Sequence, residues 1–113
     1  MRVRPPQDVD HLLVETKGGE RGEAAGLLEI APLLTGDGSR VVVVLMQDAA
    51  VDAAVERRRL RHAMAAGVTV LVDGFSLRQR AVRDSDVAQG VGVVDADEVA
   101  GLLLVPGVKV VWH

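Results

Sequence analysis

Apolar runs separated by stretches with helical spacing make up most of this chain. Five runs have the length and composition of strands, at residues 11–17, 40–46, 68–73, 91–94 and 108–112. The second of them, RVVVVLM, is β-branched with no polar alternation, which is typical of a strand that helices cover on both faces. It is the clearest central strand.

Helical patterns connect the runs, at residues 23–34, 48–66, 76–82 and 95–105. In the first helix Ala24, Leu27, Leu28 and Ala31 share one face, and Pro32 predicts a kink or an end. The second helix changes its apolar stripe near Arg57, where we expect a bend or break, before Gly67 ends it.

Strands that alternate with helices predict an α/β fold, because right-handed crossovers place helices over both faces of a parallel sheet. We expect one domain over residues 10–113, with a mostly parallel five-stranded sheet, preceded by an N-terminal arm at residues 1–9. A chain of 113 residues is enough for one core and too short for two.

Composition argues against a nucleic-acid partner. The chain has one Phe, one Trp and no Tyr, so side chains on which bases could stack are nearly absent. Its formal net charge of -3 repels a phosphate backbone. We therefore expect no direct binding to nucleic acid.

The chain has no cysteine, which excludes disulfides, thiolate metal sites and a cysteine nucleophile, and which fits a cytoplasmic protein. Its longest strictly apolar run, residues 41–46, is too short to cross a bilayer, and MRVRPPQDVD lacks the apolar stretch of a signal peptide. We expect a cytoplasmic protein without membrane contact.

Carboxylates follow three of the predicted strands, at Glu15, Asp48 and Asp73. Ligand sites of parallel sheets lie at the carboxyl ends of the strands, and three carboxylates along one edge could hold a hard cation such as magnesium. The hypothesis we favour is simpler: Asp48 caps the second helix, and the other two end their strands in solvent.

Glycines in KGGERGEAAG follow a strand and precede a helix, which is the context of a phosphate-binding loop. The spacing matches neither G-x-G-x-x-G nor G-x-x-x-x-G-K-[ST]. A flexible turn is the favoured interpretation, and no cofactor is predicted.

The stretch DGFSLRQR, residues 73–80, raises the question of whether Ser76 is a nucleophile. A serine nucleophile needs a base within hydrogen-bond reach, and no histidine is convincingly placed for that role: His11 begins a strand, His62 lies inside a helix and His113 ends the chain. Ser76 and Gln79 instead form the S-x-x-Q pattern of a capping box. Asp95 and Glu98 repeat the pattern, so we expect two helix caps.

Positive charge is concentrated in ERRRLRH, residues 56–62, and in Arg78, Arg80 and Arg83. Most such runs are a solvated helix face, although a patch of arginines can also bind an acidic partner. Arg80, close to the strand ends, could alternatively bind an anion.

The helix start FSL is the predicted interface. Such a start exposes Phe75 or Leu77 unless a partner covers it, and Arg78 could supply a polar rim. The alternative is that Phe75 folds back onto the core of its own domain.

Three stretches resemble a known family. LMQDAAVDAA, AAGVTVLVDGFSLRQRAV and GVVDADEVAGLLLVPGVKVVWH are similar to segments of the DsrE/DsrF/DsrH-like sulfur-relay proteins, and most closely of the DsrH (TusB-like) branch. The resemblance covers residues 41–113 well and the N-terminal part loosely. It implies a cytoplasmic α/β protein that assembles with copies or paralogues and passes persulfide sulfur toward tRNA thiolation or sulfur oxidation.

The chain departs from that pattern at two places. Active members carry a cysteine near the end of the third strand, where this chain has Asp73 to Ser76, and the family's Arg-Gly pair is Arg80 and Ala81. Without a thiol the chain cannot itself hold a persulfide. The resemblance then implies a non-catalytic subunit or a divergent interaction module, in a homo-oligomer or a hetero-oligomer with cysteine-bearing paralogues.

Two alternatives stay open at this point. One is a small cation- or anion-binding domain or enzyme that uses Glu15, Asp48 and Asp73 with a cation, or Arg80 with an anion. The other is a self-assembling protein without catalytic activity.

Overall fold

The computed structural model describes residues 2–18, 26–55 and 57–113. Its strands are β1 (His11–Glu15), β2 (Val41–Leu45), β3 (Thr69–Asp73), β4 (Gly92–Val94) and β5 (Lys109–Trp112). They form one sheet in the order β4-β3-β2-β1-β5, and each neighbouring pair is parallel. The predicted α/β fold with a five-stranded, mostly parallel sheet is confirmed, and the described strands are in fact all parallel.

The helices are α1 (Leu27–Ile30), α2 (Asp52–Val55), α3 (Arg57–Ala65), α4 (Gly74–Gln79) and α5 (Ala96–Leu103). At Ala31 the backbone changes from α to a 3-10 helix that runs to Thr35, with Pro32 in its first turn, so the predicted change at the proline is confirmed. The long helix predicted from residue 48 begins instead as a 3-10 segment, Gln47–Val51. Ala24, and residue 56 beside the expected bend, lie outside the described residues.

The order of the strands decides which face each helix covers. The chain steps from β1 to β2, β3 and β4 in one direction, and right-handed crossovers in one direction put their connections on the same face. The return from β4 to β5 runs the other way, so α5 lies on the opposite face. The two apolar cores agree with this, since Leu13 and Val43 pack with α1, α3 and α4, whereas Leu12 and Val42 pack with α5.

One edge of the sheet is covered by the N-terminal residues. Arg2 forms a parallel bridge with Val93 of β4, and the Val3 N–H donates to the Val93 carbonyl at 3.2 Å. The Arg2 guanidinium lies 3.2 Å from a carboxylate oxygen of Asp95 and 3.1 Å from one of Glu98. The start of the chain therefore occupies the outer side of β4.

Asp95 and Glu98 form the predicted capping box at the start of α5. The Glu98 N–H donates to Asp95 Oδ1 at 2.8 Å, and the Asp95 N–H donates to Glu98 Oε1 at 2.9 Å. The hydrogen bond from the Glu98 backbone lowers the pKa of Asp95 below its ordinary value, and Arg2 adds to that effect. This cap prediction is confirmed.

The other edge of the sheet, β5, is bare. All four residues of β5 are exposed, and no described residue pairs with its outer side. Val110 and Trp112 are in register with Leu12 and Val14 of β1, so their side chains lie on the face of α5. The sheet thus has one covered edge and one open edge.

The longest helix in the described ranges is α3, with nine residues. None of the helices described there combines the length and the apolar character that crossing a membrane requires.

Candidate functional site at the carboxyl ends of the strands

The carboxyl ends of β1, β2 and β3 bring the predicted polar residues to one edge of the sheet. Glu15 ends β1, Asp48 follows β2 in the 3-10 segment, and Asp73 ends β3. Ser76 and Arg80 lie in and just after α4, which continues from β3. What these groups can do depends on which partners each of them already has.

At the end of β3, Asp73 is the N-cap of α4. Its Oδ2 accepts the backbone N–H of Ser76 at 3.0 Å and the Ser76 hydroxyl at 2.6 Å. The helix begins at Gly74, so Ser76 is its third residue and not its cap. The predicted capping box of Ser76 and Gln79 is wrong, because the aspartate three residues earlier takes the cap position.

The Ser76 hydroxyl has a second partner, the backbone N–H of Gln47, which donates to Oγ at 2.8 Å. Ser76 is only 3% exposed. Gln47 has a φ of 53°, in the left-handed region that non-glycine residues seldom adopt, and this hydrogen bond holds it there. The hydroxyl therefore ties the start of α4 to the segment after β2.

These partners argue against Ser76 as a nucleophile. A serine nucleophile needs a base that takes its proton, and no histidine in the described ranges bonds this hydroxyl. Its proton points to Asp73, which also holds the helix N-terminus. The structural role that the sequence favoured for Ser76 stands, with different atoms from those expected.

Asp73 has one unsatisfied atom. Its Oδ1 is buried and has no hydrogen-bond donor among the described residues. The expectation that Asp73 ends its strand in solvent is wrong, since the residue is 3% exposed.

Asp48 does not cap a helix, contrary to the prediction. The 3-10 segment after β2 has Met46 at its N-cap position and no side-chain cap. The Asp48 carboxylate is exposed and accepts from Arg80 Nη2 at 2.9 Å and from Arg80 Nε at 3.2 Å. Arg80 Nη1 also donates to the Ser76 carbonyl at 3.3 Å, so this guanidinium bridges the segments after β2 and β3.

Glu15 is buried, although the sequence predicted that it would end its strand in solvent. Its Oε1 accepts the Leu27 N–H at 2.8 Å, and its Oε2 accepts the Lys17 N–H at 3.2 Å. His113 Nδ1 lies 2.9 Å from Oε2. Glu15 thus joins the start of α1 to the residue that follows β5.

Gly26 is required by this arrangement. A Cβ atom at position 26 would overlap Glu15 Oε1, so a larger residue would displace the carboxylate. Sequence inspection did not identify either the Glu15–His113 contact or the role of Gly26. No local sequence pattern indicates the Glu15–His113 contact, because it forms only when β5 lies next to β1 and residues 98 positions apart meet.

The three carboxylates do not form one cation site. In the part of the chain that the structure describes, no group of three or more acidic, histidine or cysteine residues is arranged to hold a metal ion. Glu15 and Asp73 are buried and bonded within the fold, and Asp48 pairs with Arg80. The glycine-rich turn considered as a phosphate loop lies largely outside the described residues, which omit 19–25.

The prediction that the helix start FSL exposes Phe75 or Leu77 is confirmed for one of the two. Phe75 is 56% exposed and Arg78 is exposed, so Phe75 does not fold back onto the core. Leu77 is fully buried in the core under α4, and its assignment to an interface is wrong. The phase of the helix explains both results, because residues two apart on a helix point in different directions.

The arginines of α3 and beyond are mostly solvated. Arg57, Arg58 and Arg61 are exposed, and Arg83 pairs with Asp86 at 3.1 Å. An open groove of about 320 Å³ runs between α1 and α3, lined by Leu28, Glu29, Arg58, Arg59 and His62. Arg59 lies 3.2 Å from Glu29 across it.

Comparison with known proteins rests on structure alone. No protein-family model matches the chain, and no curated protein gives a significant match. Two solved structures superpose on nearly all of it. The YchN protein from E. coli has a TM-score of 0.73 and 18% identity, covering 93% of this chain and 100% of that one.

The second is MTH1491 from Methanobacterium thermoautotrophicum, a protein of unknown function. It has a TM-score of 0.74 and 16% identity, covering 92% of this chain and 99% of that one. This chain has a DsrE-like α/β fold. A shared fold hosts many functions, so this similarity shows the fold and leaves the function to the residues of the site.

Ala81, just after α4, has a backbone conformation that usually favours glycine. Where the resembling family has the glycine of an Arg-Gly pair, this chain has Ala81, with a φ of 56°. The Val82 N–H bonds the Leu77 carbonyl and the Ala81 N–H bonds the Arg78 carbonyl, which is the Schellman arrangement at a helix end. The left-handed backbone is therefore present without the glycine that normally favours it.

Proposed function

We propose that the protein is an interaction subunit of a sulfur-relay type assembly in the cytoplasm, which binds a cysteine-bearing DsrE-like paralogue and carries no sulfur itself. The observation that supports this most directly lies at the end of β3 in this DsrE-like fold. There two adjacent residues differ sharply in exposure: the Ser76 hydroxyl is buried, and the Phe75 ring is exposed.

The polar side chains at the end of β3 are already hydrogen-bonded within the fold. The Ser76 hydroxyl donates to Asp73 at 2.6 Å and accepts from Gln47 at 2.8 Å, and the residue is only 3% exposed, so this hydroxyl is held within the fold and shielded from a substrate. The chain also has no thiol on which a persulfide could form. A relay that includes this subunit has to place its persulfide on another chain.

The surface beside that position suits a protein partner. Phe75 presents an exposed aromatic ring, and Arg78 adds an exposed guanidinium one turn further along α4. Aromatic and arginine side chains are the residue types that contribute most to protein interfaces. Phe75 and Arg78 thus form a small docking surface next to the position that corresponds to the family's cysteine.

The proposal is tested by the affinity for a cysteine-bearing DsrE-like paralogue from the same organism. We expect binding by the wild-type chain and a loss of at least about tenfold in affinity for Phe75→Glu, since a central aromatic anchor is replaced by a charge. Val55→Glu is the matched control, because Val55 is 64% exposed and lies on α2. A paralogue that fails to bind, or that binds Phe75→Glu as tightly as the control, contradicts the proposal.

A further inference from the structure

We infer that two copies of this chain pair through the outer edges of their β5 strands, antiparallel, about a two-fold axis at Val111. The pairing surface is the backbone of β5 together with the side chains of Val110, Val111 and Trp112. The inference rests on the geometry of the strand and is independent of the proposed relay function.

The hydrogen bonds from β5 to β1 determine which backbone N–H and C=O groups of β5 point toward β1 and which point outward. The Lys109 N–H donates to the Asp10 carbonyl, and the His113 N–H donates to the Val14 carbonyl, each at 2.9 Å. Backbone groups alternate along a strand, so Val111 also faces β1, whereas Val110 and Trp112 point their N–H and C=O groups outward. These outward groups have no strand partner among the described residues.

The outward groups are spaced to complement themselves. In an antiparallel pair centred on Val111, Val110 of one copy lies opposite Trp112 of the other, and both pairs exchange hydrogen bonds. About four intermolecular backbone hydrogen bonds form, and the Val111 residues face each other as a non-hydrogen-bonded pair. A second copy of β5 can thus pair with this edge so that the outward N–H and C=O groups of Val110 and Trp112 are all bonded.

The side chains agree with that register. Val110 is 42% exposed and Trp112 is 57% exposed, and both lie on the face of α5. In the pair each tryptophan ring covers a valine of the other copy, and aromatic with β-branched residues is a favourable cross-strand combination. On the other face Val111, which is 48% exposed, meets its own counterpart.

The opposite edge of the sheet is covered by the chain itself. There Arg2 and Val3 lie along β4, and Arg2 is held by the carboxylates of Asp95 and Glu98. Edge strands are usually protected by such cover or by charges, and β5 has only Lys109 at its first position. The difference marks β5 as the edge that is left open for pairing.

The pairing surface is small for a protein interface. A half-exposed tryptophan presents on the order of 100 Å², so a pairing of short strands buries a few hundred Å² per copy. This is less than the roughly 800 Å² per partner of a standard interface. We therefore expect a reversible dimer that dissociates on dilution.

Cysteine cross-linking tests the register, because the natural chain has no thiol that could interfere. Val111→Cys places two thiols opposite each other at a Cα separation of about 4.5 Å, within the range that a disulfide spans. Under mild oxidation we expect most of this variant to run as a covalent dimer that a reductant reverses. Val110→Cys, on the same strand and similarly exposed, is the control, and its thiols lie too far apart to link.

Sedimentation across about 1 to 500 μM protein tests the pairing without new thiols. Val110→Pro removes an outward N–H and leaves the bonds to β1 intact, and edge strands accept proline at such positions. We expect a dissociation constant at least about tenfold higher than that of the wild type, whereas Val110→Thr, which keeps both shape and N–H, should dimerise normally. Dimers that survive Val110→Pro, a wild type that stays monomeric throughout, or equal cross-linking of the two cysteine variants each overturn the inference.

Discussion

The end of β3 and the outer edge of β5 differ in whether their hydrogen-bonding groups are already paired within the fold. At the end of β3, Asp73 and Ser76 are buried and bond each other, and the Ser76 hydroxyl also accepts the backbone N–H of Gln47. At the edge of β5, Val110 and Trp112 are exposed, and their backbone groups point away from the sheet. The Asp73–Ser76 pair, which resembles a reactive centre in the sequence, is held inside the fold, whereas the outer edge of the last strand is available to a partner.

This difference predicts two separate effects of substitution. Changes at the buried residues of the β3 end should alter the free energy of unfolding and leave self-association unchanged. Changes at the edge of β5 should do the reverse. The predictions below concern the β3 end, in order of expected size.

The largest effect is expected for Leu77→Ala. Leu77 is fully buried under α4, and deleting a buried leucine side chain costs about 2 to 5 kcal/mol through lost contacts and a residual cavity. Phe75→Ala, two residues earlier and exposed, should change stability by less than about 0.5 kcal/mol. Urea unfolding of the two variants measures both values, and similar costs would mean that α4 is packed in a different phase.

Ser76→Ala should cost about 1 to 3 kcal/mol, because it leaves the buried Asp73 carboxylate and the Gln47 N–H without their shared partner. Ser85→Ala is the control, since Ser85 is exposed in the turn before β4 and should be neutral within about 0.5 kcal/mol. Unfolding curves give the stabilities, and sedimentation of the folded variant should match that of the wild type. Weaker self-association of Ser76→Ala at unchanged stability contradicts the separation of the two regions.

Ala81→Gly should stabilise the protein by about 1 kcal/mol. The φ of 56° at Ala81 is unfavourable for a residue with a Cβ atom and free of strain for glycine. Gly101→Ala is a useful counterpart, because Gly101 is an exposed position inside α5 with open space around it, and alanine there should stabilise by about 0.5 to 1 kcal/mol. A loss of stability in Ala81→Gly would show that residue 81 does not have this backbone conformation.

The smallest effect is expected for Arg80→Gln. The Asp48 carboxylate in this ion pair is 80% exposed, and exposed pairs contribute about 0 to 1 kcal/mol. Thermal unfolding at low and high salt measures the contribution, which should shrink with salt. A loss well above about 1 kcal/mol would give the Arg80 bridge a larger role in holding the strand ends together than the exposed geometry implies.

The fold was predictable because its signals are local and repeated. Each strand is a short apolar run such as VVVVL of β2, and each connection carries helical spacing or a turn, so alternation alone specifies a parallel sheet. The Asp95–Glu98 capping box was predictable for the same reason. Its pattern and its partners lie within four residues.

The candidate site was less predictable because local patterns compete there and distant contacts decide. Asp73 and Ser76 both head a possible capping pattern, and only the point at which β3 ends shows that Asp73 is the cap. Leu77 and Phe75 are both apolar, and only the phase of α4 separates them. The Glu15–His113 contact requires the order of the strands, which the apolar pattern does not specify.

The central claim is that this chain contributes binding and not sulfur chemistry, and it is tested by locating sulfur within the complex. The chain is mixed with a cysteine-bearing DsrE-like paralogue from its own organism and a persulfide donor, and the complex is analysed by native mass spectrometry followed by intact-mass measurement of each subunit. The account predicts a complex in which only the paralogue gains a sulfur atom that dithiothreitol removes. A reducible gain of sulfur on this chain, or no complex with the paralogue, would contradict it.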